Sequence, residues 1–247
     1  MTLVAWMLVL VGCGGSRGLT HIGAIDVYRF EHESTDVYVL SKGESLVMID
    51  SGYERNAPTL DLDMRSQRLD PTHLKAVVLT HGHADHAGGA RYFRERYGAR
   101  VVAGKGDAAM LAKGANEPLC PTGLLGRYRY DTDQSATYTP LGADVLVDAP
   151  FPLRELTGID ALVLPLPGHT SGSLVVKIDG AVFAGDLFRG SLVGGGAATH
   201  LYMCDVAQNR RDIQHLVKDL APDAATFFVG HFGAVSRDAV LATFVDP

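Results

Sequence analysis

The chain is poor in several things. Its 247 residues contain no run of Lys or Arg and no basic stripe, and the formal net charge is -6. That balance argues against nucleic acid as a partner. Cys13, Cys120 and Cys204 are its three cysteines, too few for a disulfide scaffold and spaced unlike any CxxC zinc or redox pattern. Cys120 and Cys204 read as two isolated thiols, with a single bridge between them as the alternative. There is no internal repeat, no low-complexity tract and no linker after the first twenty residues. The one long apolar stretch at the N-terminus, Leu3–Val11, is too short to cross a bilayer as a helix.

What remains is the composition of an ordinary globular protein, 47% apolar and 20% charged, long enough for one large domain or two small ones. The opening MTLVAWMLVLVGCGGSRG has an apolar segment of signal-peptide length. Its Leu10-Val11-Gly12-Cys13 resembles the lipobox of bacterial lipoproteins, although no Lys or Arg precedes it. This implies a signal over residues 1–12, a tether over 13–20 and one domain over 21–247. The implied location is the cell envelope with a lipid anchor on Cys13; otherwise the cytoplasm.

From His21 onward, short apolar runs alternate with helical patterns. Strands are expected at Thr35–Leu40, Ser45–Ile49, Ala76–Leu79, Arg100–Ala103, Ala161–Leu164, Ser173–Ile178, Ala181–Phe183 and Thr226–Val229. Asp179-Gly180 reads as a hairpin turn. Helices are expected at Gly89–Tyr97, Val206–Leu220 and Arg237–Phe244. Ile213, Leu216, Val217 and Leu220 set the helical spacing of the second, Asp205 and Gln208 supply its capping box, and Ser236 caps the third. Such mixing points to an α/β or α+β layered domain.

Five of the apolar runs deliver polar residues just beyond their carboxyl ends. LVMI leads to Asp50, VVLT to HGHADH, LVLPLP to Gly168-His169, AVFA to Gly185-Asp186 and TFFV to Gly230-His231. Buried imidazoles and carboxylates are costly unless paired or bound to metal. Five His and two Asp exceed the needs of one four-coordinate zinc. They divide between two ions: His81, His83 and His169 on one, Asp85, His86 and His231 on the other, with Asp186 bridging. No cysteine joins the set, which disfavours soft-metal and iron–sulfur sites. The glycine run Gly194–Gly196 lacks the Lys and Ser/Thr of a phosphate loop. Of the other histidines, His21, His32, His73 and His215 read as structural or solvated, and His200 as a pocket candidate. Phe188 and Arg189 follow Asp186 closely enough to line a pocket. Arg127, Tyr128, Arg129 and Tyr130 fit either recognition of an anionic or aromatic group or a solvated loop.

HGHADH, PGHTSG, FAGD and VGH, in that order, resemble the metallo-β-lactamase superfamily over roughly residues 36–240. The resemblance implies an αβ/βα sandwich, two mixed sheets flanked by helices, with a dinuclear site along one edge. MIDSG resembles the family's early strand, and Asp50 would there orient a ligand histidine. Having both His86 and Asp186 is more like the glyoxalase II and lactonase branches, although no C-terminal glutathione-binding helical extension is evident. The implied activity is zinc-dependent hydrolysis of a thioester, ester or lactone in a small molecule. A metal-bridging hydroxide would attack the carbonyl, oriented by Asp85. Zinc is the expected metal, two ions per chain, with iron or manganese as substitutes. The competing readings are a β-lactamase and a mononuclear iron persulfide dioxygenase.

Overall fold

The computed structural model describes residues 17–245. The signal-peptide reading and Cys13 lie outside them. Strand propensity and period-2 burial build two sheets. The first holds seven strands in sequence order: β1 (Arg17–Ile22), β2 (Ile25–His32), β3 (Thr35–Lys42), β4 (Ser45–Ile49), β5 (Leu74–Val78), β6 (Arg100–Gly104) and β7 (Val145–Val147). Pairing is antiparallel from β1 to β4 and parallel from β4 to β7. Residues 17–20, expected in a tether, instead pair in β1 with β2. The alternation of Val27 and Phe30 with half-buried residues explains why β2 was not legible as an apolar run.

The second sheet contains β8 (Phe151–Pro152), β9 (Leu162–Pro165), β10 (Leu174–Ile178) and β11 (Ala181–Gly185). A small hairpin, β12 (Arg189–Gly190) with β13 (Ala197–Ala198), precedes its last two strands, β14 (Thr226–Val229) and β15 (Ala234–Ser236). Its order is β15-β14-β11-β10-β9-β8. β10 and β11 turn at Asp179-Gly180 as the sequence predicts, with Ile178 opposite Ala181.

Among the described residues eight α-helices join them: α1 (Ala57–Ser66), α2 (Ala84–Ala87), α3 (Ala90–Tyr97), α4 (Ala108–Lys113), α5 (Leu124–Gln134), α6 (Arg154–Thr157), α7 (Val206–His215) and α8 (Arg237–Phe244). The expected helix Val206–Leu220 is α7 continued by a π-helical turn over Leu216–Leu220. Asp205 caps α7 through the Gln208 amide, and Ser236 caps α8 through that of Ala239.

Alternation along each strand decides the layers. Val37 and Val39 of β3 face α1 and α3 with Leu60, Met64 and Phe93, while Tyr38 and Leu40 face the other sheet. On the second sheet Leu174, Val176 and Phe183 point inward. Val175, Val182 and Phe227 pack under α7 and α8 with Ile213, Val217 and Phe244. Helices cover both outer faces and two mixed sheets meet in the middle: an αβ/βα sandwich. Among the described residues no helix is long and apolar enough to cross a membrane.

The sandwich positions the polar strand ends. β4 and β5 run parallel in one sheet, β11 and β14 parallel in the other. β9 pairs with β10, and β10 with β11, both antiparallel, so β9 points the same way as β11. The carboxyl ends of all five therefore open on one edge. There the two sheets are stitched together by backbone bonds from Asp36 N to Gly230 O at 2.8 Å and from Leu174 N to Thr80 O at 2.7 Å.

Candidate metal centre

The edge gathers every histidine and aspartate singled out as a ligand. Asp186 stands at the centre. Its Oδ2 lies 3.1 Å from His200 Nε2, 3.3 Å from His86 Nε2 and from His231 Nε2, and 3.7 Å from His81 Nε2 and from His169 Nε2. Four groups of three donors have the compactness to hold a cation. These are His81-His83-His169, His81-His86-Asp186, Asp85-His86-His231 and His169-Asp186-His200.

Each imidazole except His83 is aimed by a partner on its far nitrogen, which fixes which nitrogen faces the centre. Asp50 Oδ2 accepts from His86 Nδ1 at 2.8 Å. The same carboxylate accepts from Thr80 N at 2.7 Å and Thr80 Oγ1 at 2.8 Å. With its proton given to Asp50, Thr80 Oγ1 is left to accept from His81 Nδ1 at 3.1 Å. The Tyr202 carbonyl accepts from His169 Nδ1 at 3.0 Å and His200 Nδ1 at 3.2 Å, and the Ser34 carbonyl accepts from His231 Nδ1 at 2.7 Å. His83 turns Nδ1 to within 3.1 Å of His169 Nε2. Asp50 itself holds a left-handed backbone, φ 59°, a strained conformation for a non-glycine residue.

The donor set fits a metal. His81 Nε2, which faces Asp186 Oδ2 at 3.7 Å, is buried without any hydrogen-bond partner among the described residues. A buried polar atom left so costs free energy, and a cation satisfies such atoms without needing a proton on each. Electrostatics agree. Burial holds the His81 and His83 imidazoles well below their usual value and lowers His169. Burial also pushes His200 down, to about 3. For His231 burial acts downward too, but the Asp186 and Asp85 carboxylates outweigh it and lift the group to about 10. His86 is raised well above its usual value by the same carboxylates and Asp50, against burial. Burial would raise Asp186, yet His200, His231 and His86 keep it well below the carboxylate range. Positive charge is what the carboxylates of this cluster demand.

Crowding requires glycine at two points. A Cβ on Gly230 would collide with Asp186 Oδ1 and lie 2.5 Å from His86 Cε1. At Gly185, with φ +51°, it would lie 2.5 Å from Thr80 Oγ1.

A cavity of about 270 Å³ adjoins the cluster. His83, Asp85, Asp186, His200 and His231 form its floor; Tyr53, Leu119, Leu125, Arg129, Leu192 and Phe232 stand on its walls. His200, a pocket candidate from sequence, is on this floor. Phe188 and Arg189 are not. The backbone reverses directly after Asp186, with Leu187 N bonded to Ala184 O at 3.2 Å. Phe188 is thereby turned into the core under α8, its ring 5.9 Å from Phe227 and 5.6 Å from Phe244. Arg189 donates to the Gly190 carbonyl at 2.9 Å and stacks over the Phe232 ring at 5.8 Å. Residues 127–130 form part of α5 rather than a loop; Arg129 reaches the cavity while Tyr128 is exposed.

Two features escaped sequence reasoning, and a third was only its alternative. Asp107 is buried and accepts from Gly82 N, Gly172 N and Thr170 Oγ1, each at 2.8 Å, tying HGHADH to GHTSG. Asn116 accepts from Ala84 N at 2.8 Å at the start of α2. Nothing in KGD or GAN signals either role. Cys120 and Cys204 form a disulfide, which corrects the isolated-thiol reading in favour of its alternative, the single bridge. The cause is tertiary: the segments pair through Met203 N to Cys120 O at 2.8 Å and a Pro121–Tyr202 bridge.

A two-sheet αβ/βα sandwich with imidazoles and carboxylates converging at its strand ends defines a class of metal-site fold. The family model that matches residues 31–231 narrows the class. The chain belongs to the metallo-β-lactamase superfamily. It is 30% identical over 149 residues to a hydroxyacylglutathione hydrolase of Anaeromyxobacter dehalogenans (strain 2CP-C), covering 60% of this chain and 44% of that one. With the hydroxyacylglutathione hydrolase of Shewanella halifaxensis (strain HAW-EB4) it shares 24% identity over 199 residues, 81% of this chain and 58% of the other. The chain thus spans about half the length of these curated relatives. Among solved structures, a B3 metallo-β-lactamase with an active-site glutamic acid is similar in fold. Its TM-score is 0.64 at 20% identity, covering 90% of this chain and 83% of that one.

Proposed function

We propose that the protein is a metal-dependent hydrolase of an ester, thioester or lactone, working with two zinc ions. One observation carries the reading: a single carboxylate oxygen, Asp186 Oδ2, lies between the His81/His169 and the His86/His231 imidazoles, within 3.7 Å of all four. His81, His83 and His169 would hold one ion and Asp85, His86 and His231 the other, with Asp186 shared. When bound, such ions polarise a carbonyl and make water acidic enough to supply a nucleophile near neutral pH. Hydrolysis adds the water oxygen to the acyl carbon, breaks the acyl C–O or C–S bond and returns a proton to the leaving atom. Asp85, which lines the cavity, would take the proton that water gives up; Thr35 Oγ1 donates to its Oδ2 at 3.3 Å. The cavity walls supply the binding surface. The relatives named hydroxyacylglutathione hydrolase support an acyl-transfer-to-water reaction.

The Cys120–Cys204 disulfide supports work in an oxidising compartment, as the envelope reading anchored through Cys13 requires.

Elemental analysis of the purified protein tests the metal, and a panel of lactoylglutathione, acyl-homoserine lactone and nitrocefin tests the bond. The expected result is two zinc per chain with thioester or lactone turnover, both lost in Asp186→Ala. One iron with oxygen-dependent turnover, or full activity in Asp186→Ala, overturns it.

A further inference from the structure

We infer that the cavity takes an acyl group with a neutral, apolar tail and rejects one that ends in a carboxylate. The inference deepens the hydrolase reading and rests on it for the reacting bond, but its own basis is the charge and polarity of the walls.

The cations come first. Arg129 is the guanidinium on the cavity wall, and its charge is already spent: Nε and Nη2 both donate to the Asp133 carboxylate at 3.0 Å. Asp133 in turn accepts from Tyr202 Oη at 2.6 Å, which holds the pair against the wall. Arg55, at the rim, donates to Glu33 at 2.8 Å through Nε and again through Nη2, while Asn56 adds a bond at 3.0 Å to the same carboxylate. Arg189 has no carboxylate partner among the described residues, but it is not part of the cavity lining; its guanidinium carbon stacks 5.8 Å from the ring of Phe232, which is. Away from the metal-ligand cluster, then, the lining offers no unpaired positive charge. It offers two carboxylates, Glu33 and Asp133. A substrate carboxylate seated here would lose water without gaining a free cation in exchange, since each guanidinium is already held by its own carboxylate.

The apolar groups come second. Leu119, Leu125, Leu192, Leu201 and Phe232 reach the cavity from separate segments. α5 reaches the cavity through Leu125 and Arg129, the loop of the β12–β13 hairpin through Leu192, and both carry apolar side chains into solvent. Leu124, Leu125 and Tyr128 on α5, with Leu192 and Val193 on the hairpin, make up five of the nine large apolar residues that are exposed among the described residues. Exposed apolar side chains gathered at one opening mark a ligand surface rather than random scatter. They extend the cavity outward along the path that the tail of a bound acyl chain follows.

The test uses two hydroxamates that differ only at the far end, octanohydroxamic acid and suberic acid monohydroxamate. The hydroxamate head chelates metal more strongly than a carboxylate does, so both tails point away from the centre. Calorimetric titration of the full chain loaded with zinc is expected to show octanohydroxamic acid binding roughly tenfold tighter or more. Asp133→Asn, which weakens the hold on Arg129, is expected to narrow that ratio several-fold. Leu192→Asp, at a residue 55% exposed and so tolerant of change, is expected to weaken the octanoyl probe by roughly tenfold. Equal binding, tighter binding of the monohydroxamate, or no binding of either probe overturns the inference. A preference for the monohydroxamate that vanishes in Arg189→Ala would instead make Arg189 an anion anchor. Parallel assays with p-nitrophenyl octanoate and mono-p-nitrophenyl suberate separate the two levels. Probe discrimination without turnover of any ester, thioester or lactone sinks the hydrolase reading alone; turnover with the suberate preferred sinks the tail assignment alone.

Discussion

The Asp50 carboxylate and the His86 imidazole, 36 positions apart in the chain, meet at 2.8 Å with both side chains buried. Asp50 leaves β4 in a left-handed turn, and its two oxygens hold Thr80 as well as His86. One carboxylate therefore aims His86 directly and His81 through the Thr80 hydroxyl.

Asp50→Asn keeps the shape but replaces a charged acceptor by a neutral one. The expected outcome is a loss of metal affinity of roughly 10- to 100-fold, read as zinc released in a chelator titration, with the far-UV spectrum unchanged. Zinc retention equal to wild type would remove Asp50 from the support of the centre.

Asp107 makes three bonds to two loops from a fully internal position, and burial pushes its carboxyl up in spite of them. Asp107→Ala leaves the Gly82 and Gly172 amides without an acceptor and the Thr170 hydroxyl with Ser173 Oγ alone, at 3.0 Å. A destabilisation of about 3 kcal/mol is expected, measured by urea denaturation of the zinc-free protein so that metal binding does not mask it. A change below about 0.5 kcal/mol would mean the loops do not depend on this tie.

Gly230 and Gly196 make a matched pair. A methyl at Gly230 has to displace Asp186 and His86, while at Gly196 the nearest atom is an ordinary 3.5 Å away, on Ser191. Gly230→Ala is expected to cost about 1–3 kcal/mol and to lose zinc, whereas Gly196→Ala leaves melting temperature and zinc content unaltered. Equal behaviour of the two variants would contradict the close approach of β14 to the centre.

Asp61 joins α1 to α3 by accepting from Tyr92 at 2.8 Å, from Tyr97, and from Arg65 at 2.8 Å. Burial works to raise its carboxyl, but these donors prevail and hold it below the ordinary carboxylate value. A depressed folded pKa stabilises the fold above the unfolded value, about 3.9. That contribution fades as pH falls through the lower, folded value. Wild type is therefore expected to melt above Asp61→Asn at pH 7, with the gap closing toward pH 2. A gap that is constant across this range would show that the charge of Asp61 is irrelevant.

Much of the molecule was legible because its signals are local. Val37–Leu40, Leu46–Ile49 and Phe227–Val229 are continuous apolar runs buried on both faces, and they became the cores of β3, β4 and β14. α8 announced itself through Ser236 and its spacing. The elements that stayed hidden lack such signals. β1 has exposed side chains at Gly18–His21, and α5 carries Gly126 and four charged residues over Leu124–Gln134 with little buried apolar surface. α1 buries Asp61 and Asp63 on its inner side, which blurs its apolar stripe. At the site, HGHADH and the three glycine-led residues His169, Asp186 and His231 stood out because polar groups set directly after buried strands are costly until a metal or a partner satisfies them. Phe188 and Arg189 misled for the converse reason: nearness in sequence to Asp186 says nothing about direction once the chain reverses.

By itself the sequence determined which side chains are available and at which strand ends they stand, since strand burial and turn chemistry act over a few residues. Tertiary structure alone decided which of them meet. That Asp186 faces five imidazoles, that His200 is one of them, that Asp107 ties two loops and that Arg129 is neutralised by Asp133 all follow from how two sheets and their helices pack. Most of those partners stand far apart along the chain. Their encounter depends on burying the same apolar faces in the core, a collective term that no short stretch of residues contains.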